Sequence, residues 1–191
     1  MSALTDALNY LLDRRTAICF DIGGAILAPG LPRLKIIETI QAISDEIPEE
    51  LIDLYEWRNG NNLFSYFKCF IPNFSFKSLE DAIRNNKYNK ELAFMSSAWG
   101  ADLVVIFGKD AGIYPIYCRD MVGGEIYEQC FDSLTAMFQT IAVCFDEDLY
   151  LWDTDLETIQ GQNYERYCQI HKQHNPNSSP LRDTYFAKIY S

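Results

Sequence analysis

Carboxylates are the residues of this chain best suited to chemistry, and three of them alternate in the segment DTDLE. Asp153, Asp155 and Glu157 have the spacing of the first ligands of a calcium-binding EF-hand loop. The sixth position of such a loop requires glycine for a sharp turn, and this chain has Thr158 there. We therefore predict no calcium site here and no metal elsewhere in the chain.

Histidine and cysteine also give no pattern of a catalytic site. His171 and His174 are the only histidines, and the local sequence brings no nucleophile or carboxylate into a triad with either of them. The six cysteines are dispersed without a CxxC pair, which indicates reduced, buried thiols rather than zinc ligands or a redox site. They are Cys19, Cys69, Cys118, Cys130, Cys144 and Cys168.

Two glycine-rich segments could approach a phosphate group. Residues 108–112 and 123–124 lack the Lys-Ser/Thr ending of a phosphate loop and the spacing of a dinucleotide-binding fingerprint, so we interpret both as hairpin turns. Two carboxylates acting together remain an open route to catalysis. The sequence favours a protein without enzymatic activity and without a cofactor.

The overall charge excludes some partners. The chain has 191 residues, 48% of them hydrophobic, with 16 Lys+Arg against 27 Asp+Glu and a formal net charge of −11. This length predicts a single domain over residues 1–191. A strongly acidic surface repels phosphate backbones and anionic lipids, so we expect no direct binding to nucleic acid or to a membrane.

Most of the net charge is concentrated in residues 102–157, which contain twelve acidic residues and only two basic ones. One interpretation is a solvated face that aids solubility; the other is a surface that attracts a basic partner. Trp99 precedes a predicted strand and Trp152 lies among the acids, where exposed aromatic side chains could anchor a protein partner. The predicted partner-binding residues are Trp99, Asp146, Glu147, Asp148, Trp152, Asp153, Asp155 and Glu157.

The beginning of the chain does not have the order of a secretory signal, because its basic pair Arg14-Arg15 follows the apolar stretch. No apolar run approaches the roughly 20 residues of a membrane-spanning helix. We therefore expect a cytoplasmic protein.

Apolar spacing predicts six helices. The first ends near Arg14 and Arg15, and an extended segment follows over residues 17–20. The second has an apolar face of Ile36, Ile37, Ile40 and Ile43. The third begins at Pro48 and ends at Asn59-Gly60. Ser78 and Asp81 form a capping box for the fourth. Asp132 or Ser133 begins the fifth, and the last covers residues 164–171.

Four strands are predicted, over residues 63–70, 103–107, 113–118 and 125–130, with a loop at residues 87–91. Short connections join the last three strands into an antiparallel meander. Helices packed against a mainly antiparallel sheet define an α+β fold, in which we expect Trp57 and Phe138 to be buried.

The segment IPEELIDLYEWRNG, residues 47–60, resembles the signature segment of the SUKH superfamily. That superfamily contains the yeast cell-wall-assembly-regulator type proteins and bacterial immunity proteins that act against toxins. The matching residues are Pro48, Glu50, Leu54, Tyr55, Trp57, Asn59 and Gly60. Other segments, at residues 29–31, 76–83, 131–135 and 174–176, also resemble the family's pattern in order and position. The resemblance therefore covers residues 28–176, with Ile47 and Phe131 as departures, and residues 1–27 have no assigned role.

The resemblance implies a SUKH-like α+β fold and a function exercised by binding another protein rather than by catalysis. In the immunity branch that partner is a toxin, often a nuclease with a basic cleft. Two alternatives stay open: a regulatory or scaffolding protein without a toxin partner, and an enzyme of unknown reaction. Neither the partner nor the oligomeric state follows from the sequence.

Overall fold

The computed structural model describes residues 2–18, 27–61, 73–84, 90–97, 100–108, 112, 114–120, 126–153 and 158–182. Six helices lie within these residues. They are α1 (Ala3–Ile18), α2 (Arg33–Ile40), α3 (Glu49–Trp57), α4 (Leu79–Arg84), α5 (Leu134–Asp146) and α6 (Tyr164–His174). The strands are β1 (Leu27–Pro29), β2 (Arg58–Asn61), β3 (Phe74–Phe76), β4 (Glu91–Ser97), β5 (Ala101–Ile106), β6 (Ile116–Asp120), β7 (Ile126–Phe131), β8 (Tyr150–Asp153) and β9 (Thr158–Gly161).

The largest sheet has the order β3-β4-β5-β6-β7, and every neighbouring pair in it is antiparallel. Helices pack against this sheet, so the predicted α+β class is confirmed. The predicted meander corresponds to β5, β6 and β7. Two further pairs, β1 with β2 and β8 with β9, form small two-stranded sheets.

Strand β4 is the main element that the sequence patterns did not predict. Glu91 was expected in a loop, which was wrong, because it is the first residue of this strand. Six of the seven residues of β4 are buried, so the strand lacks the alternation of apolar and polar residues that marks a half-exposed strand. The strand predicted at residues 63–70 lies outside the described residues.

Predicted boundaries also differ from the structure, most clearly at α1 and α3. Helix α1 continues to Ile18, so residues 17 and 18 are helical rather than extended. Helix α3 ends at Trp57 instead of Asn59-Gly60, because Arg58 already has an extended backbone and begins β2. Strand β2 then pairs with β1 instead of forming a loop.

The hydrophobic core lies between the main sheet and the helices. Trp57 is 8% exposed and Phe138 is 0% exposed, which confirms both predictions of burial. Helix α5, predicted from its apolar spacing, begins after Ser133, whose hydroxyl accepts a hydrogen bond from the Ala136 amide. None of the helices in the described part of the chain has the length and apolar content of a bilayer-spanning helix.

Replacing Phe138 by alanine should lower the free energy of unfolding by about 3–5 kcal/mol, because it leaves a cavity beneath α5. Leu34→Ala is the control, since Leu34 is 67% exposed and should change stability by less than about 0.5 kcal/mol. Denaturant unfolding measures the free energy of unfolding of both variants. Equal midpoints for the two variants would contradict this position of Phe138 in the core.

Candidate functional site

The acidic residues of segment 102–157 are distributed over several parts of the molecule. Asp102 lies within the main sheet, where it pairs with Arg119. Asp120 and Glu128 pair with Arg182, at 3.5 and 2.7 Å. The contiguous acidic segment is therefore not one continuous acidic surface.

Asp146, Glu147 and Asp148 do lie together, at the C-terminal end of α5, and all three are exposed. The end of a helix has a partial negative charge, so acidic residues there are electrostatically unfavourable. Arg14 of α1 lies 2.8 Å from Asp146, and Arg166 of α6 lies 2.6 Å from Glu147. The hydrogen bond from Arg166 lowers the pKa of Glu147, which keeps this carboxylate ionised.

Asp148 differs from its two neighbours. Its side chain has no hydrogen bond or ion pair to other described residues, and its backbone is left-handed, with φ of 54°. A left-handed conformation is unfavourable for most residues other than glycine, although aspartate tolerates it better than others. Asp148 thus combines local strain with an exposed carboxylate that is unpaired among the described residues.

One exposed apolar side chain contacts these acids, and a second follows them closely in the chain. Tyr10 of α1 is 39% exposed and its hydroxyl donates a hydrogen bond to Asp146. Leu151, the second residue of β8, is 40% exposed. Among the described residues, only one other large apolar side chain, Leu34, is as exposed. We call this surface the α5 corner; it consists of Tyr10, Arg14, Asp146, Glu147, Asp148, Leu151 and Arg166.

Some of the other predicted partner-binding residues lie outside the described part of the chain. The backbone of Trp152 and Asp153 lies in β8, directly after Leu151, paired with Ile159 and Thr158, but their side chains are not described. Trp99, Asp155 and Glu157 lie outside the described residues. Thr158, at the position where a calcium loop requires glycine, begins β9.

Glu50, from the segment that resembles the SUKH signature, stabilises the start of α5. Its carboxylate accepts hydrogen bonds from the backbone amides of Leu134 at 2.9 Å and Thr135 at 3.1 Å. These amides have no partner within their own helix, and a negative charge at a helix N-terminus is favourable. Pro48, at the N-cap of α3, starts the helix that positions Glu50.

Asn59 and Gly60 of the same segment position α4. The Asn59 side chain accepts a hydrogen bond from the Leu79 amide at 2.8 Å and donates one to Glu80 at 3.1 Å. Gly60 has φ of 80°, and a Cβ atom there would lie 2.3 Å from the Ser78 nitrogen. Only glycine permits this close approach.

The other residues of the segment are part of the core. Leu54 and Tyr55 are completely buried, and burial raises the pKa of the Tyr55 hydroxyl. The Trp57 indole donates a hydrogen bond to Asn9 of α1 at 2.8 Å. The segment is therefore architectural, joining α3 to α1, α4 and α5.

A buried polar network crosses the main sheet, and the sequence patterns did not identify it. Arg119 of β6 donates to Glu91 of β4 and to Asp102 of β5. Tyr127 of β7 donates to Glu91 at 2.9 Å, and Lys77 pairs with Asp102 at 3.3 Å. Asp102 and Arg119 lie just outside the strands predicted at residues 103–107 and 113–118, and their partner Glu91 lies in the strand that was not predicted.

The charges of this network are matched. Burial disfavours the ionised form of Asp102, but Lys77, Ser96 and Arg119 outweigh that effect and lower its pKa. Asp102 is thus held as a carboxylate rather than poised to donate a proton. We therefore interpret these paired charges as a structural ion network.

The described cysteines and potential metal ligands also lack the features of a catalytic or metal site. Burial raises the pKa of the Cys118 and Cys144 thiols to about 12, so both stay protonated at neutral pH. The described residues contain no group of three histidine, cysteine or acidic side chains suited to hold a metal ion. The α5 corner is the surface with the clearest capacity to bind a partner.

Comparison with known protein families and with curated proteins returns no match to this chain.

Gly60→Ala should destabilise the protein more than Gly108→Ala, although both glycines have positive φ. The conformational cost of about 1–2 kcal/mol applies to both. Gly60→Ala has a further cost of about 1–3 kcal/mol from the clash with the Ser78 backbone, whereas Gly108 has open space around it. Thermal unfolding of the two variants tests this, and equal losses would contradict the close approach at Gly60.

Arg119→Leu should lower the free energy of unfolding by about 3–5 kcal/mol, because Glu91 and Asp102 would become buried carboxylates without their shared partner. Arg166→Leu removes an exposed ion pair and should cost less than about 1 kcal/mol. Urea denaturation compares them. A similar small loss in both variants would show that the network contributes little to stability.

Proposed function

We propose that this chain is a non-catalytic, cytoplasmic binding protein that neutralises a basic protein toxin by direct contact through the α5 corner. The observation that supports this most is the run of Asp146, Glu147 and Asp148 at the negative end of a helix. Negative charge at this position interacts unfavourably with the helix dipole, and the exposed ion pairs to Arg14 and Arg166 compensate only weakly. A cationic partner would relieve that repulsion.

The composition of the α5 corner suits a protein partner. Tyr10, which contacts Asp146, and Leu151, which follows the acids in the chain, offer exposed apolar area. Protein interfaces combine such anchoring contacts with steering charges. Complementary charge can raise association rates by about 10 to 10³-fold. The same acids disfavour direct contact with nucleic acid, so a nuclease is a more suitable partner than its substrate.

The resemblance to SUKH immunity proteins supports the same proposal. Glu50, Asn59 and Gly60 each have a structural task in joining helices, as expected of residues that specify a fold. Binding would then use a different part of the molecule, such as the α5 corner. The buried, protonated thiols of Cys118 and Cys144 fit a reducing compartment.

Affinity capture from the cells that make this protein tests the proposal. We expect the wild-type chain to retain a basic protein whose toxicity it suppresses on co-expression. The triple variant Asp146→Asn, Glu147→Gln, Asp148→Asn should bind this partner at least about tenfold more slowly, with little change in stability. Raising the ionic strength from about 0.05 M to about 0.5 M should slow the wild type towards the variant.

The matched control is Glu38→Gln, Asp45→Asn, Glu49→Gln, which removes three exposed acids around α2 and α3. It includes one carboxylate, Glu49, that pairs with an arginine, Arg33, at 2.7 Å, as Glu147 pairs with Arg166. This control should keep the wild-type association rate. Equal slowing in both triple variants would reject the α5 corner as the interface, and a non-toxic partner would reject the toxin-neutralising role.

A further inference from the structure

Strand β7 contains a β-bulge at Cys130. Ile116 is opposite Phe131 and Tyr117 is opposite Gln129, so Cys130 has no opposing residue in β6. A bulge removes its extra residue from the regular ladder of hydrogen bonds. The backbone carbonyl of Cys130 instead lies 2.6 Å from Nε2 of His171 in α6.

This contact determines which nitrogen of His171 is protonated. A carbonyl oxygen only accepts, so Nε2 must donate, and the neutral ring then has a bare Nδ1. His171 is completely buried, and its Nδ1 has no hydrogen-bond partner among the described residues. A second proton on this ring would place both a charge and an unsatisfied donor in the interior.

The groups around the ring give limited compensation for such a charge. The centroids of the Phe131 and Tyr167 rings lie 5.3 and 5.8 Å from the centroid of the His171 ring. The titratable and charged neighbours are Cys130 on β7, Asp132 after β7, and Tyr167, Lys172 and His174 on α6. Asp132 favours the charged ring and Lys172 and His174 oppose it, but the Asp132 carboxylate already accepts hydrogen bonds from Asn177 and Ser178.

The chain that follows α6 continues the same attachment. Asn175, which is fully buried, accepts a hydrogen bond from the Asp132 amide at 2.9 Å and donates one to Thr140 of α5 at 2.8 Å. The Ser179 amide donates to the Gln129 carbonyl at 3.0 Å, along the outer side of β7. Detachment of α6 would therefore uncover the edge of the main sheet.

We propose that His171 is a proton-sensitive latch: in mild acid it releases α6, together with the segment up to Arg182, from β7. The release does not depend on the toxin-neutralising role. It would uncover β7, the edge strand of the main sheet.

The sign of the pH effect follows from burial. Desolvation lowers the pKa of His171 in the docked state, whereas a detached imidazole takes up a proton at about pH 6.5. Between the lower, docked value and about pH 6.5 the detached state binds more protons, so its population increases as the pH falls. Above about pH 6.5 both states are neutral and the stabilisation is complete.

Hydrogen exchange tests the latch in the full-length protein. Protection of the α6 amides, each corrected for its intrinsic exchange rate, should fall relative to the α5 amides by up to about tenfold for each pH unit below about 6.5. In His171→Gln, whose amide can donate to the Cys130 carbonyl but cannot titrate, the ratio should not change with pH. His174→Gln, which removes the other histidine, should respond like the wild type.

An unchanged ratio in the wild type between about pH 7.5 and pH 5.5, or the same fall in His171→Gln, would overturn the proposal. Should His171→Gln fail to fold, the NMR signal of the His171 ring in the wild type decides, assigned by comparison with His174→Gln. We expect this signal to remain that of a neutral ring until α6 loses protection. Protonation at about pH 6.5 with α6 still protected would exclude the latch.

Discussion

The fold depends on the carboxylate of Glu50 at the N-terminus of α5. This helix packs against α1, α3 and α6 and begins at the end of the main sheet, so its position determines how the layers meet. Its first amides would be unsatisfied without Glu50 and the Ser133 hydroxyl. A negative charge from α3 thus stabilises the start of α5, and the charges of Asp146, Glu147 and Asp148 disturb its end. The two ends of one helix separate the structural role from the proposed binding role.

Buried polar groups join secondary-structure elements at two places, one within the main sheet and one between the sheet and α6. Arg119 joins β4, β5 and β6 through two carboxylates, and the matched charges keep the interior neutral. His171 and Asn175 join α6 to the bulge of β7 and to α5 without any net charge. In the first arrangement the pKa of Asp102 is lowered, so this carboxylate stays ionised in mild acid. The second depends on a ring that must remain neutral, which is why we place the proposed response to acid there.

The sequence predicted elements whose pattern is local. Helix α5 was recognised from its apolar spacing, and α4 from the capping box of Ser78 and Asp81, whose amide donates to the Ser78 hydroxyl at 3.1 Å. Strand β4 was not recognised, because burial of both faces removes alternation. Asn59-Gly60 was interpreted as a helix end. Gly60 instead lies in β2, where its left-handed backbone allows close approach to the backbone of Ser78. The acidic segment appeared continuous, but β5, β6 and β7 send its side chains to different partners, so among the described residues only its α5 portion forms a common surface.

The arginines of the α5 corner explain how it can bind without destabilising the fold. Arg14 and Arg166 reach Asp146 and Glu147 from α1 and α6, and exposed pairs of this kind contribute less than about 1 kcal/mol each. A cationic partner must therefore displace only weak interactions to reach these carboxylates. Asp148 has no such partner among the described residues, so its charge is available to an approaching surface from the start. The corner is thus suited first to steering and then, through Tyr10 and Leu151, to close contact, and the charges should act mainly on the rate of association.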